Sequence, residues 1–133
     1  MYKKNAQSAY QATNVSSLPP GEQIARLMEK GASYIKQAKA HVLANAYEAR
    51  YNETEKCMTL VTGLLGCLDR NPATDQMCDV LENYYQFLQT MLAKININND
   101  PEICDAVIDS MTTMADTWRQ IQKVCDGQGT GNG

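Results

Sequence analysis

Apolar residues recur every three or four positions through most of this chain, the spacing of one face of an α-helix. A first segment, Gly21 to Ala44, carries Ile24, Leu27, Met28, Gly31, Ile35, Ala38 and Val42. A second, Tyr47 to Leu68, carries Tyr47, Tyr51, Met58, Val61, Leu64, Leu65 and Leu68. A third, Ala73 to Ile95, carries Met77, Leu81, Tyr84, Leu88, Met91, Leu92 and Ile95. A fourth, Glu102 to Cys125, carries Ile103, Val107, Met111, Met114, Trp118, Ile121 and Cys125. Breakers mark the boundaries. Ser17, Pro19 and Pro20 precede the first segment, Asn71-Pro72 closes the second, and Asn96 to Pro101 separates the third from the fourth. Proline suits a first helical turn, and the residue before it avoids helical geometry. Only the short edge from Lys94 to Asn98 alternates with a period of two.

Each segment predicts a helix of roughly 33–36 Å at about 1.5 Å per residue. The connections are too short for anything but antiparallel neighbours. The expected fold is all-α, an antiparallel up-down four-helix bundle with a short N-terminal helix or cap segment. Residues 1–20 are expected to form that cap segment, 21–125 the bundle, and 126–133 a disordered glycine-rich tail that has nothing to bury.

Length agrees with one domain: 133 residues can bury a core without staples. No apolar run approaches the ~20 residues of a membrane-spanning helix. The two lysines near the N-terminus are followed by no apolar stretch, so no secretory signal is read and a cytoplasmic location is expected. The net charge of −3 argues against a general nucleic-acid binder. The charge is uneven, with +4 over residues 1–44 and −4 over residues 100–133. The two ends of the chain are therefore suited to attract one another or to meet different partners. The five cysteines include no C-x-x-C, and they read as small apolar core residues in the thiol state.

Catalytic chemistry is hard to assemble. His41 is the single histidine and sits on a polar stretch beside Lys39. A di-iron bundle would need two Glu-x-x-His pairs. Gly63 and Gly66 lie within a helical pattern rather than in a phosphate loop. Asn96 to Asp100 lacks the glycine and bidentate glutamate of a calcium loop. No enzyme, cofactor or metal site is expected. The distinctive feature is soft and aromatic apolar content, seven Met and seven Tyr against 24 Leu, Ile, Val and Phe together. Met adapts to varied partners, and Tyr joins an apolar body to a polar edge. Leu60, Cys67, Val80, Tyr85, Phe87 and Ile108 fall beside the core stripes and are candidates for grooves that receive partner helices.

Several short motifs resemble one family. Met1-Tyr2, then Ala9-Tyr10-Gln11 and Val15-Ser16, resembles the opening of the flagellin-specific type III export chaperones, the FliS family. Gly31-Ala32 followed by Gln37-Ala38-Lys39 resembles its first long helix. Tyr84-Tyr85 and Leu88, then Asn96-Ile97-Asn98-Asn99-Asp100, resembles its central signature, and Asp116-Thr117-Trp118-Arg119 resembles its ending. The resemblance spans residues 1 to about 124. The chain departs from the pattern at Gln7, Met28-Glu29-Lys30 and Ala115.

The resemblance implies a bundle that binds the disordered C-terminal segment of flagellin, covers its polymerisation surface, and docks on the cytoplasmic domain of the flagellar export-gate protein. It also implies that Tyr10 contacts the gate and that the N-terminal segment, with Val15, caps an empty groove. The residues expected in the client groove are Leu60, Tyr85, Ile108 and Met111, while Tyr84, Leu88 and Trp118 are expected in the core. The alternative is a bundle that sequesters another flagellar protein, such as an anti-sigma factor or a co-chaperone.

Overall fold

The computed structural model describes residues 17–131, with side chains as far as Gly127. Helix α1 spans Pro20–Leu43, α2 Tyr47–Gly66, α3 Asp75–Asn98 and α4 Pro101–Gly131. The helices pack in a ring in which α1 touches α2 and α4, and α3 touches α2 and α4. Short loops make each sequential pair antiparallel, so the expected up-down bundle is the observed one. The α1–α4 pairing is the most extensive and the α3–α4 pairing the least.

The helix ends follow from local chemistry. Pro20 opens α1, and the Gly21 N–H, which has no partner within its own helix, donates to Gln122 Oε1 of α4 at 2.7 Å. The helix closes in a Schellman arrangement: Asn45 is left-handed at φ 54°, Ala46 N–H donates to His41 O, and Asn45 N–H donates to Val42 O. Before α3, the Ala73 N–H donates to Asn71 Oδ1 at 2.9 Å, and this turn delays the helix to Asp75. Asn99, at φ 49°, ends α3. The Glu102 N–H donates to Asp100 Oδ1 at 2.9 Å at the start of α4.

Two helix ends differ from the sequence reading. α3 continues through Asn98 instead of stopping at Ile95, because the left-handed residue that breaks it is Asn99. α4 continues past Cys125 to Gly131, with Gln122 Nε2 donating to Asp126 Oδ1 one turn on at 2.9 Å and no proline to stop it.

The core stripe of α1 is the expected one, Ile24 through Val42. In α2 and α3 the stripe is rotated. α2 buries Arg50, Thr54, Cys57, Leu60, Val61 and Leu64, leaving Tyr47 and Tyr51 outside. α3 buries Cys78, Leu81, Tyr85, Leu88, Leu92 and Ile95. Leu60 and Tyr85 are therefore core residues and not flanking ones. Leu88 and Trp118 are buried as expected, while Tyr84 is half-buried. Of the cysteines, Cys57, Cys78 and Cys104 are buried, Cys67 is half-buried and Cys125 is exposed, all as free thiols. Cys125 departs from the core reading because it lies in the exposed stretch 123–127 of α4.

Glycine lets α1 approach its neighbours. A Cβ on Gly31 would lie 2.3 Å from Met111 Cε, and one on Gly21 would lie 2.8 Å from the Trp118 carbonyl oxygen. Ion pairs reinforce the α1–α4 seam. Arg119 forks between Glu22 at 2.8 Å and Glu29 at 2.7 Å, and Lys39 meets Asp105 at 2.8 Å. Only the Lys39 pair joins a basic first third to an acidic last third. The Arg119 pairs run with the opposite sense of charge.

Candidate binding surface

Polar contacts between helices define which flank of each helix faces which neighbour. On α3, Gln89 Nε2 donates to Thr62 Oγ1 of α2 at 3.1 Å, and Tyr84 Oη donates to Ser110 O of α4 at 3.3 Å. Ser110 Oγ in turn donates to Tyr84 Oη at 3.2 Å. Met77, Val80, Phe87 and Met91 share the flank of Tyr84 by helical spacing. On this α4-facing side of α3, Met77, Val80 and Phe87 are 47%, 60% and 49% exposed. On α4, Met114 and Ile121 fall on the flank of Ser110, turned towards α3, half-buried and exposed respectively. The antiparallel register set by Tyr84 and Ser110 puts Val80 level with Met114. The α3–α4 seam is thus a shallow apolar groove along the least extensive helix pairing of the bundle.

The exposed residues of this seam are methionine, aromatic and branched side chains. The Tyr84 and Tyr85 ring centres lie 5.6 Å apart, with the planes tilted by 58°. Burial pushes the Tyr84 phenol above the usual tyrosine range, against the opposing effect of its bond with Ser110. The hydroxyl is therefore a neutral anchor at physiological pH. Methionine, aromatic and branched side chains in one stripe suit burial of another helix's apolar face.

Of the residues expected in the client groove, three are buried in one core cluster and Ile108 packs against it. Leu60, Tyr85 and Met111 lie in the closed core, with Met111 Sδ 3.9 Å from Cys57 Sγ. Ile108 is half-buried on the opposite flank of α4, the side on which Asp105 and Arg119 meet α1. Tyr10 and Val15 fall outside the described residues. Val80 and Phe87, read from the sequence as flanking residues, do line the groove. Tyr84, Met77, Met114 and Ile121 were assigned to core stripes and sit at its surface. The signal that separates the flanks is non-local: the Tyr84–Ser110 and Gln89–Thr62 contacts show it, and spacing within α3 does not.

Among the described residues, no group of three or more His, Cys, Asp or Glu is placed to hold a metal ion, and no helix is long and apolar enough to cross a membrane. Burial pushes the Cys57 thiol up to about 12 and the Cys104 thiol up to about 11, the reverse of nucleophile activation.

A helical bundle with an open apolar seam belongs to the class of helical protein-binding modules. The family model described as flagellar protein FliS matches residues 2–124, and the chain belongs to that family. A similar protein is the flagellar secretion chaperone FliS of Vibrio cholerae serotype O1 (strain ATCC 39315 / El Tor Inaba N16961). It is 23% identical over 109 residues, which cover 82% of this chain and 79% of the relative.

Proposed function

We propose that this protein is a cytoplasmic flagellar export chaperone whose α3–α4 groove receives the disordered C-terminal segment of flagellin. The observation that carries the reading is the apolar stripe Met77, Val80, Tyr84 and Phe87, turned towards α4 and left open there. A client segment folding against it as a helix would bury apolar residues at every third or fourth position, and its own polymerisation surface would be covered meanwhile. Ordering such a segment typically costs about 2–5 kcal/mol, which keeps affinity within a range that permits release. Family membership and the secretion-chaperone name of the Vibrio cholerae relative support the export role. Delivery to the cytoplasmic domain of the export-gate protein, through Tyr10 and Val15, is proposed from the resemblance of the N-terminal motif.

Calorimetric titration with the C-terminal segment of flagellin, followed by circular dichroism, tests the reading. The expected result is one-to-one binding with a gain of helix beyond the sum of the parts. Absence of binding at high micromolar concentration, with the chain folded, would shift the assignment to another flagellar partner such as an anti-sigma factor or a co-chaperone.

A further inference from the structure

Arg50 stands apart from the other three arginines. Arg26 pairs with Glu22 at 2.9 Å, Arg70 with Asp79 at 2.7 Å, and Arg119 with Glu22 and Glu29. Arg50 is the most buried of the four, at 8% exposed, yet it meets no carboxylate among the described residues. Its Nη1 donates to Asn99 Oδ1 at 2.8 Å, and its guanidinium carbon lies 5.3 Å from the centre of the Tyr47 ring. Among the described residues, Nε is buried and reaches no acceptor, and Nη2 makes no hydrogen bond either. The unused Nε–Nη2 edge is the fork that matches a planar carboxylate. A buried cation without a counterion is costly, and amides alone do not neutralise it.

The surrounding polar groups are already committed to structure. Asn99 Nδ2 donates to Asn45 Oδ1 at 3.2 Å, and Thr54 Oγ1 donates to Asn96 Oδ1 at 3.0 Å. These bonds tie the α1–α2 loop, α2 and the end of α3 together, leaving the charge of Arg50 unanswered. Exposed tyrosines adjoin it on α2. Tyr47 and Tyr51 lie one turn apart on the α3-facing flank of α2, 56% and 50% exposed. Ile97, 78% exposed, follows Asn96 near the same end of the seam. A cation against one tyrosine ring, with a second exposed tyrosine next in the chain, has the composition of an interface hot spot.

We propose that this end of the α2–α3 seam docks a partner polypeptide that presents an aspartate or glutamate side chain between apolar residues. The carboxylate takes the Nε–Nη2 edge of Arg50. Tyr47, exposed and free to rotate, swings off the guanidinium, and with Tyr51 and Ile97 it covers the apolar neighbours. Exposed tyrosines before and after Arg50 along α2 favour an acidic residue within an apolar stretch over a chain terminus. The site lies on a different seam from the α3–α4 groove and stands independently of the client assigned to that groove.

The test is an NMR titration of the full-length, isotope-labelled chain that follows arginine Nε–H signals and backbone amides. Three short acetylated peptides serve as probes. One has a glutamate between leucines and an amidated end; one has glutamine in its place; the third has the glutamine and a free C-terminal carboxylate. The glutamate peptide is expected to move the Arg50 Nε–H signal and the Tyr47, Tyr51 and Ile97 amides saturably. The two glutamine peptides are expected to bind at least about tenfold more weakly, the scale of a lost charge-assisted hydrogen bond. Equal binding of the glutamate peptide and its amidated glutamine counterpart, shifts elsewhere, or no shifts would overturn the proposal. Equal binding of the glutamate and free-carboxylate peptides would overturn the choice of a side chain over a terminus. Arg50→Lys keeps the charge and loses the fork, so it should weaken the glutamate peptide selectively. If that variant does not fold, the comparison among peptides on the natural chain still decides.

Discussion

Arg119 holds two carboxylates of α1 at once, and the effect on them is directional. Its hydrogen bond, followed by that of Arg26, lowers the Glu22 carboxyl to about 2 from an ordinary value of 4.5, and it lowers Glu29 as well. A carboxylate whose folded value is depressed contributes stability that is present above its unfolded value and lost as pH falls towards the folded one. Arg119→Met should lower the unfolding free energy by about 1 kcal/mol at neutral pH, the range of a part-exposed ion-pair network. The gap between the two proteins should shrink as pH drops from about 4.5 towards 2, which denaturant titrations across that range would check. Gly31→Ala belongs to the same scale. Its new methyl meets the far end of Met111, so overpacking of about 1–3 kcal/mol is expected. Pairing it with Met111→Val should recover part of the loss in thermal unfolding.

At the scale of the helix, nearby positions on α3 carry opposite fates. Tyr85 lies wholly inside, whereas Val80 and Phe87 lie outside on the α4 side. Tyr85→Ala should destabilise the bundle by about 3 kcal/mol or more, as large-to-small core changes do. Val80→Asp should leave thermal stability almost unchanged and weaken flagellin binding at least tenfold, about 1.4 kcal/mol. Ile108→Asp, on the opposite flank of α4, is a matched comparison: a larger effect there than at Val80 would move the client to the α1–α4 side.

The helices themselves were legible in the chain because prolines and asparagines punctuate it at Pro20, Pro72, Asn99 and Pro101. Their rotation was not. In α3 the stripe Met77, Leu81, Tyr84, Leu88, Met91, Leu92, Ile95 and the stripe Cys78, Leu81, Tyr85, Leu88, Leu92, Ile95 are similarly regular and share four residues. Only the neighbouring helices decide between them. In α2 the inward residues include Arg50 and Thr54, which a reading of apolar spacing places outside. Their burial depends on Asn99 and Asn96, far along the chain.

Across the whole molecule, stability is unevenly distributed. α1 and α4 are joined by close glycine approaches and by the Arg119 and Lys39 ion pairs, whereas α3 meets α4 least. Hydrogen exchange should therefore find the amides along the α3–α4 seam opening before those of α1, with protection rising there when a flagellin segment binds. Equal protection of α1 and α3 in the free chain would contradict this ordering. The last turns of α4 add little to the ring, so removal of residues 126–133 should change stability by no more than about 0.5 kcal/mol and leave client affinity intact.

The distribution of thiols also gives the molecule a clock. Cys125 stands in solvent and will react with a maleimide at once, while Cys57, Cys78 and Cys104 are buried and react only when the helices part. In a Cys125→Ser, Cys67→Ser background, the rate at which mass increments appear would count openings of the bundle under native conditions, without denaturant. A bound client that closes the bundle would slow that count.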